Sequence, residues 1–283
     1  MTKIGILHPG EMGVSIAASA MNSGHPVYWV SEGRSEHTRR RAEKRNLIEL
    51  NSLAELCRTC EVIISICPPH ASEEVARSVT KEKFKGVYLD ANAISPQRVK
   101  RLQQVMEENG IQFVDGSVIG GPAWEVGETF LYLSGKDAEA IRDCFQSGPL
   151  ETKIIGDEAG KASALKMCYA AYSKGTTALL AAVLAAAEAY DVSEELSRQW
   201  DMDDPGFPEQ VNRRVMRTSA KAWRFAGEME EIASTFEEAG LPGGFHHAAA
   251  EIFRHMANVK PDGQDRLAQI LAAILHRSPH GSI

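Results

Sequence analysis

The chain has 283 residues, 43% hydrophobic and 24% charged, the balance of an ordinary globular protein of one large or two medium domains. Its net charge of −7 argues against general attraction to nucleic acid or an anionic membrane surface. No apolar run approaches the roughly 18–20 residues of a membrane span, and an odd count of five cysteines fits reduced thiols rather than a disulfide framework.

The first half alternates short apolar stretches with helical patterns. "KIGIL" (3–7) enters a strand at once, with no signal-peptide pattern, so a cytoplasmic location is expected. A helix over 12–23 stops at Gly24, strand "PVYWV" (26–30) follows, and a charged helix covers 36–45. "SLAELCRTC" (52–60) reads as a short helix leading into strand "EVIISIC" (61–67). Its Cys57 and Cys60 have metal-like spacing, but no second pair completes a site, so they read as small apolar residues. A helix over 71–80 precedes strand "GVYLDAN" (86–92). The next helix has Pro96 near its first turn and Gly110 as its stop. Strand "QFVDGSV" (112–118), a hairpin pair near "TFLYLSG" (129–135), a helix over 137–147 and strand "TKIIG" (152–156) complete this half. Apolar strands alternating with amphipathic helices predict a parallel sheet covered on both faces.

From 157 to 190 the chain reads as one long, alanine-rich helix, and within 161–190 Gly175 is the only helix-weakening residue. Everything beyond is helical pattern, broken at "DDPGFP", "GLPGG" and "VKPDG". The expected fold class is therefore α/β: a parallel-sheet domain over 1–156, then an all-α domain over 157–283 that begins with the long helix. Alanine on several faces of that helix invites partner helices, which a homodimer through the helical domain would supply.

"IGILHPGEMG" (4–13) lies between the first strand and first helix, where a Rossmann-type fold carries its Gly-x-Gly-x-x-Gly phosphate turn. The three glycine positions are held by His8, Gly10 and Gly13. Gly10 would let the backbone approach a pyrophosphate and Gly13 would let the helix pack on the strand, while His8 takes the place of the turn glycine. The segment His8, Pro9, Gly10, Glu11, Met12, Gly13 is thus a candidate dinucleotide cradle, its helix N-terminus presenting N–H groups to an anion. After the second strand, Ser31, Arg34 and Ser35 stand where a coenzyme's 2′-substituent is read. A hydroxyl and a guanidinium suit a 2′-phosphate, so NADP is expected over NAD, with Glu32 as the opposing feature unless it points away. Cys67, Pro68 and Pro69 close the third expected strand and shape the coenzyme crevice. Asn92 ends the fourth and is expected near the nicotinamide ribose, or as a turn former.

Three further stretches stand in order behind this loop: "YLDANAISP" (88–96), "VDGSVIGGP" (114–122) and "GKASALKMCYAA" (160–171). Together the four resemble the β-hydroxyacid dehydrogenase family, which includes 3-hydroxyisobutyrate, tartronate semialdehyde and 6-phosphogluconate dehydrogenases and the related imine reductases. The resemblance covers nearly the whole chain. Met12 and Gly13 match the family's first loop. Asp115, Val118, Gly120 and Gly121 match its substrate motif, where Ser117 replaces a proline and Ile119 a serine. Lys166, behind Gly160, takes the place of the family's catalytic lysine, but Tyr169 and Ala170 stand where two asparagines normally follow.

The resemblance implies hydride transfer between a nicotinamide coenzyme and a small hydroxy acid or its carbonyl counterpart, with Lys166 as general acid or base. Ser117, Val118, Ile119, Gly120 and Gly121, with Tyr169 and Ser173 on the lysine's helix face, would bind substrate. An imine reductase is the alternative enzyme, against which Lys166 argues. A non-catalytic NADP-binding redox sensor is the alternative of another class. Glu228 is a further candidate through the family's polar pair nearby, whereas Trp223 and Phe245 are expected to line the helical core, with a wall of the substrate pocket as the alternative for either. His246 and His247 are adjacent and so face different ways on a helix, which argues against a metal pair.

Overall fold

The computed structural model describes residues 1–260, 263 and 265–276. It divides into two compact units, Met1–Met167 and Cys168–Ile283. The break expected over 259–263 lies partly outside the described residues.

The first unit is built on eight strands: β1 (Ile4–Ile6), β2 (Val27–Val30), β3 (Ile48–Leu50), β4 (Val62–Ser65), β5 (Val87–Asp90), β6 (Gln112–Ile119), β7 (Thr129–Ser134) and β8 (Leu150–Ile154). They form one sheet in the order β3-β2-β1-β4-β5-β6-β7-β8. All neighbours are parallel except β6 and β7, which pair antiparallel with Ser117 opposite Tyr132. The expected Rossmann-type topology is present. The short edge strand β3 was not expected, because "IEL" is only three residues long, too short for its apolar–polar–apolar order to mark a strand. The strand order reverses between β1 and β4, and in open α/β sheets ligands bind beyond the carboxyl ends at such a point.

Period-two alternation makes two cores. Ile4 and Ile6 of β1, Val62 and Ile64 of β4 and Val87 and Leu89 of β5 point to one face, against α1 (Glu11–Asn22). Ile63, Tyr88 and Phe113 point to the other, with Leu56 of α3 (Leu53–Thr59), Val79 of α4 (Ser72–Lys81) and Leu102 of α5 (Pro96–Glu108). Cys57 and Cys60 are buried here, and burial pushes both thiols up to about 12, so they behave as small apolar groups. The remaining helices of this unit are α2 (Glu36–Lys44) and α6 (Ala138–Arg142).

The long helix departs from its expected form in two ways. It begins at Lys161, not 157, because Gly156 and Gly160 have φ of +152° and +104° and turn the chain first. It is also interrupted: α7 (Lys161–Ala170) and α8 (Thr176–Ala189) are joined by a π-helical turn, Ala171–Gly175, which places the wide turn at the one glycine. The carbonyl of Ser173 in that turn accepts from the Thr177 hydroxyl (2.9 Å) and from Arg214, whose Nε also donates to Thr177 Oγ1 (2.6 Å). Side-chain donors thus serve a carbonyl in the loosened backbone ladder. Taken whole, Lys161–Ala189 is long and apolar enough, by length and composition, to cross a membrane, contrary to expectation; 44% of its most apolar window is buried within the protein.

The second unit adds α9 (Ser193–Asp203), α10 (Phe207–Ser219), α11 (Ala222–Glu238), α12 (Gly244–Ala257) and α13 (Arg266–Ile274). Helix α11 turns Ala222, Ala226, Met229 and Ala233 inward, and α12 turns His246, Ala249, Ala250 and Phe253 inward. Trp223 and Phe245 fall off those stripes and are 64% and 48% exposed, which corrects the expectation that they line the core.

Candidate active site

The turn after β1 does not strain at His8. Positive φ among described non-glycine residues occurs only at Asn46, Lys83, Asp191 and His276, so the imidazole sits on ordinary backbone and the first glycine of the motif is dispensable here. The other two glycines have separate reasons. A Cβ on Gly13 would lie 2.3 Å from the His8 carbonyl oxygen, so only glycine lets α1 come this close to the turn. A Cβ on Gly10 would meet nothing within 4 Å, which leaves the backbone open on the side where a phosphate would approach. No side chain caps α1 at Gly10, so its first-turn N–H groups remain for an anion.

Beside this turn is a cavity of about 260 Å³ lined by Leu7, His8, Val30, Glu32, Arg34, Leu53, Val75 and Ser78. Two of these residues hold buried polar atoms with no partner: His8 Nδ1 and Arg34 Nε. Burial, helped by Arg34, lowers the His8 imidazole to about 4, so it is neutral near pH 7. An open glycine cradle, an uncapped helix and two unsatisfied polar atoms fit a dinucleotide whose phosphates lie at α1 and whose adenosine end enters the cavity. Among the three residues expected to read the 2′-substituent, only Arg34 lines it. The Ser31 hydroxyl is given to Glu49 on β3, and Ser35 caps α2 by accepting from Thr38 N at 3.3 Å. Glu32 does not point away but shares the cavity lining. Arg41 reaches the Pro9 carbonyl at 3.5 Å, and Arg40 pairs with Glu36 on the surface.

At the ends of β4 and β5, Asn92 is 1% exposed and fully engaged. Its Oδ1 accepts from Cys67 N (2.6 Å) and its Nδ2 donates to Ser65 Oγ (3.2 Å) and Asp90 Oδ2 (2.8 Å). It ties the two strand ends together and so sets the turn Cys67–Pro68–Pro69, where burial holds the Cys67 thiol up at about 12. Asp90, fully buried, accepts from Asn92 N and Nδ2, yet burial outweighs both bonds and raises its carboxyl to about 7. A raised folded value means the native state holds a proton that the unfolded chain releases near 4. Asp90 therefore stabilises fully below about pH 4, and that contribution is lost as pH rises to 7. Urea midpoints measured from pH 5 to 8 should fall, and the slope should flatten in Asp90→Asn; an unchanged slope would assign the pH dependence elsewhere.

Sequence reasoning named Asp115 as a match to the substrate motif but missed its organising role. Asp115, wholly buried in β6, accepts from Gly160 N (2.8 Å), Ser163 N (3.0 Å), Ser163 Oγ (2.7 Å) and Ser134 Oγ (2.9 Å). Burial still raises its carboxyl above the usual range despite these donors. Its bonds fasten the start of α7 to the sheet. Six residues on, Lys166 Nζ donates to the Val118 carbonyl at 2.8 Å, so β6 and α7 bring the expected catalytic lysine to the expected substrate motif. Gly120, exposed at the end of β6, has φ +125°, and a Cβ there would lie 2.3 Å from the Glu128 carbonyl oxygen. Gly121 is exposed and Ile119 half-buried, but Ser117 is wholly buried with an unpartnered Oγ and presents no hydroxyl at the surface. Ser15, also missed, accepts from Ala123 N (2.9 Å) and donates to the Met12 carbonyl (2.8 Å), linking the motif's loop to the phosphate turn.

In the second unit, Tyr169 is 53% exposed and Ser173 half-buried. Glu228 is buried and paired with Lys174, from the π turn, and with Arg224 at 3.3 Å. Lys174 carried no sequence signal, since it reads as one more charge on a helix. His247 lies between Glu230 (2.7 Å) and Glu237 (3.1 Å), while His246 is buried against Phe236 and Phe245.

Residues 3–146, half of the chain, match the NAD binding domain of 6-phosphogluconate dehydrogenase, and residues 187–256 match a domain of unknown function (DUF1932). The chain belongs to the β-hydroxyacid dehydrogenase family. Its relatives include an uncharacterised 28.5 kDa protein of Methanothermus fervidus, 29% identical over 69% of this chain and 74% of that protein. The mitochondrial 3-hydroxyisobutyrate dehydrogenase of Drosophila melanogaster is 27% identical over 50% of this chain and 46% of its own length. The solved 3-hydroxyisobutyrate dehydrogenase of Mycobacterium tuberculosis has the same fold, with a TM-score of 0.70 at 18% identity over 98% and 99% of the two chains. Solved imine reductases share the fold too. As a member of this family the chain is an NAD(P)-binding oxidoreductase.

Proposed function

We propose that this family member is an NADP-dependent oxidoreductase that moves hydride between the nicotinamide and a small hydroxy acid or its carbonyl counterpart. Lys166 is the general acid and base. The observation that carries this reading is the ammonium of Lys166 held 2.8 Å from the Val118 carbonyl, within the substrate motif of β6. The bound coenzyme would supply the hydride acceptor or donor, held by the 8–13 turn, α1 and the cavity of His8 and Arg34. In the oxidative direction neutral Lys166 removes the hydroxyl proton as hydride departs; in reverse its ammonium protonates the nascent alkoxide. The Gly120 and Gly121 backbone would receive the substrate's acid group, and Tyr169 and Ser173, three and seven residues beyond the lysine, would orient it. Arg34 supports NADP over NAD, because a guanidinium meets a phosphate through two hydrogen bonds.

The reading extends to organisation. We assign coenzyme binding and the Gly120–Gly121 turn to 1–156, and the other substrate contacts and the homodimer contacts to 157–283, in a cytoplasmic enzyme. A second copy would cover α9, which buries none of its own residues, and the apolar cavity of about 480 Å³ that α9 shares with Leu184, Pro208 and Leu271.

Fluorescence titration with NADPH and NADH, followed by a screen of hydroxy acids, aldehydes and imines, tests the proposal. Tight NADPH binding with weak NADH binding and turnover of a hydroxy acid is the expected result. Turnover of C=N compounds alone would move the chain to the imine reductases, binding without turnover of any class would make it a sensor, and binding of neither coenzyme would end the proposal.

A further inference from the structure

We propose that His8 is a second ligand for the coenzyme's 2′-phosphate, acting beside Arg34 and taking up a proton when that phosphate binds. The inference rests on the coenzyme reading above and adds a residue to it. The motif position held by His8 asks for glycine, and the backbone there is unstrained, so the imidazole is accommodated rather than merely endured. It lines the same 260 Å³ cavity as Arg34, and each brings a buried nitrogen without a partner. Such atoms are costly unless a ligand satisfies them, and two nitrogen-bearing groups at one cavity suit an anion.

The charges around the imidazole set the direction of the effect. The charged or titratable side chains that line the cavity are Glu32 and Arg34, with Cys67 acting on Arg34; of α2, Arg41 reaches the Pro9 carbonyl and Arg39 the Ser31 carbonyl, α1 carries Glu11 in its first turn, and α3 and α4 give the cavity only Leu53, Val75 and Ser78. Without ligand, burial and Arg34 keep His8 neutral. A phosphate dianion between the two reverses that balance: it offsets the Arg34 charge and favours the imidazolium. Binding therefore draws a proton onto His8, and the preference for the 2′-phosphorylated coenzyme grows as pH falls toward 6. Glu32, at the same lining, opposes the anion and keeps the preference finite.

The test is calorimetry of the full-length protein with NADPH, NADH and adenosine 2′,5′-bisphosphate at pH 6 and 8, in two buffers of different ionisation enthalpy. Wild type is compared with His8→Asn and with His8→Gly, which restores the motif glycine and guards against a folding failure. The phosphate's own titration near pH 6 is common to all three proteins and cancels in the comparison. At pH 6 the variants should bind NADPH about tenfold more weakly and take up fewer protons than wild type, with NADH binding changed less than about twofold. Equal proton uptake and an unchanged NADPH-to-NADH ratio in both variants would overturn the role of His8 while leaving the coenzyme reading intact. Failure of wild type to bind any of the three would overturn both.

Discussion

Replacing Lys166 with methionine should lower kcat by about 10²–10⁴-fold while leaving NADPH affinity within about threefold of wild type. The split follows from where the residues stand. The coenzyme cradle is made by the 8–13 turn, α1 and the β2–α2 loop, whereas Lys166 projects from α7 onto β6 and the Val118 carbonyl. Methionine keeps the length and apolar stem of the side chain, so the packing of α7 is retained and the acid–base group alone is lost. Lys166→Arg sharpens the test. Arginine keeps the charge and can still reach a carbonyl, but it does not surrender its proton in this pH range, so it should fail in the same way. The measurement is steady-state turnover on whichever carbonyl compound the screen finds, alongside a binding isotherm for NADPH. Undiminished turnover in both variants would remove Lys166 from the chemistry, and parallel loss of binding would make it structural.

The residues that could be read from the sequence are those whose task is written in local pattern. Gly10 and Gly13 are legible because a turn between strand and helix has few solutions, and the structure gives each its reason: open space at one, a 2.3 Å approach at the other. The strands β1, β4 and β5 are legible as short apolar runs because each is buried on two faces. Lys166 was legible only by its place behind Gly160 and through the family resemblance, since one lysine in an alanine-rich helix carries no pattern of its own. What escaped is non-local. Asn92 was read as a coenzyme contact or a turn former, and its side chain is taken up by Cys67, Ser65 and Asp90 on two neighbouring strand ends. Ser31 was read as a phosphate ligand, but the unforeseen strand β3 puts Glu49 beside it. Lys174 and Glu228 are 54 positions apart in the chain and meet through a π turn that no sequence period encodes.

Asp115→Ala is the substitution expected to cost most in stability. The carboxylate is the shared acceptor for two backbone N–H groups and two hydroxyls, all from residues brought to β6 across 19 to 48 positions of chain. Alanine leaves those donors facing apolar surroundings, and breaking such a buried network costs on the order of 3–5 kcal/mol. For a chain of this length that is a fall in Tm of about 10 °C. Asp115→Asn keeps one acceptor oxygen and removes the buried charge, so its loss should be less than half as large. The two variants also separate stability from chemistry. In both, the start of α7 loses part of its anchor, and Lys166 lies about one and a half turns further along that helix, so kcat should fall even at temperatures where the protein remains folded. Removing the Asp115 charge should additionally lower the value at which Asp90 titrates, since each carboxylate raises the cost of ionising the other. Thermal melts at pH 6 and 8 with turnover at 25 °C make the comparison. A melt unchanged in Asp115→Ala would mean that water replaces the carboxylate at the head of α7, and the network would then be a consequence of the fold instead of one of its causes.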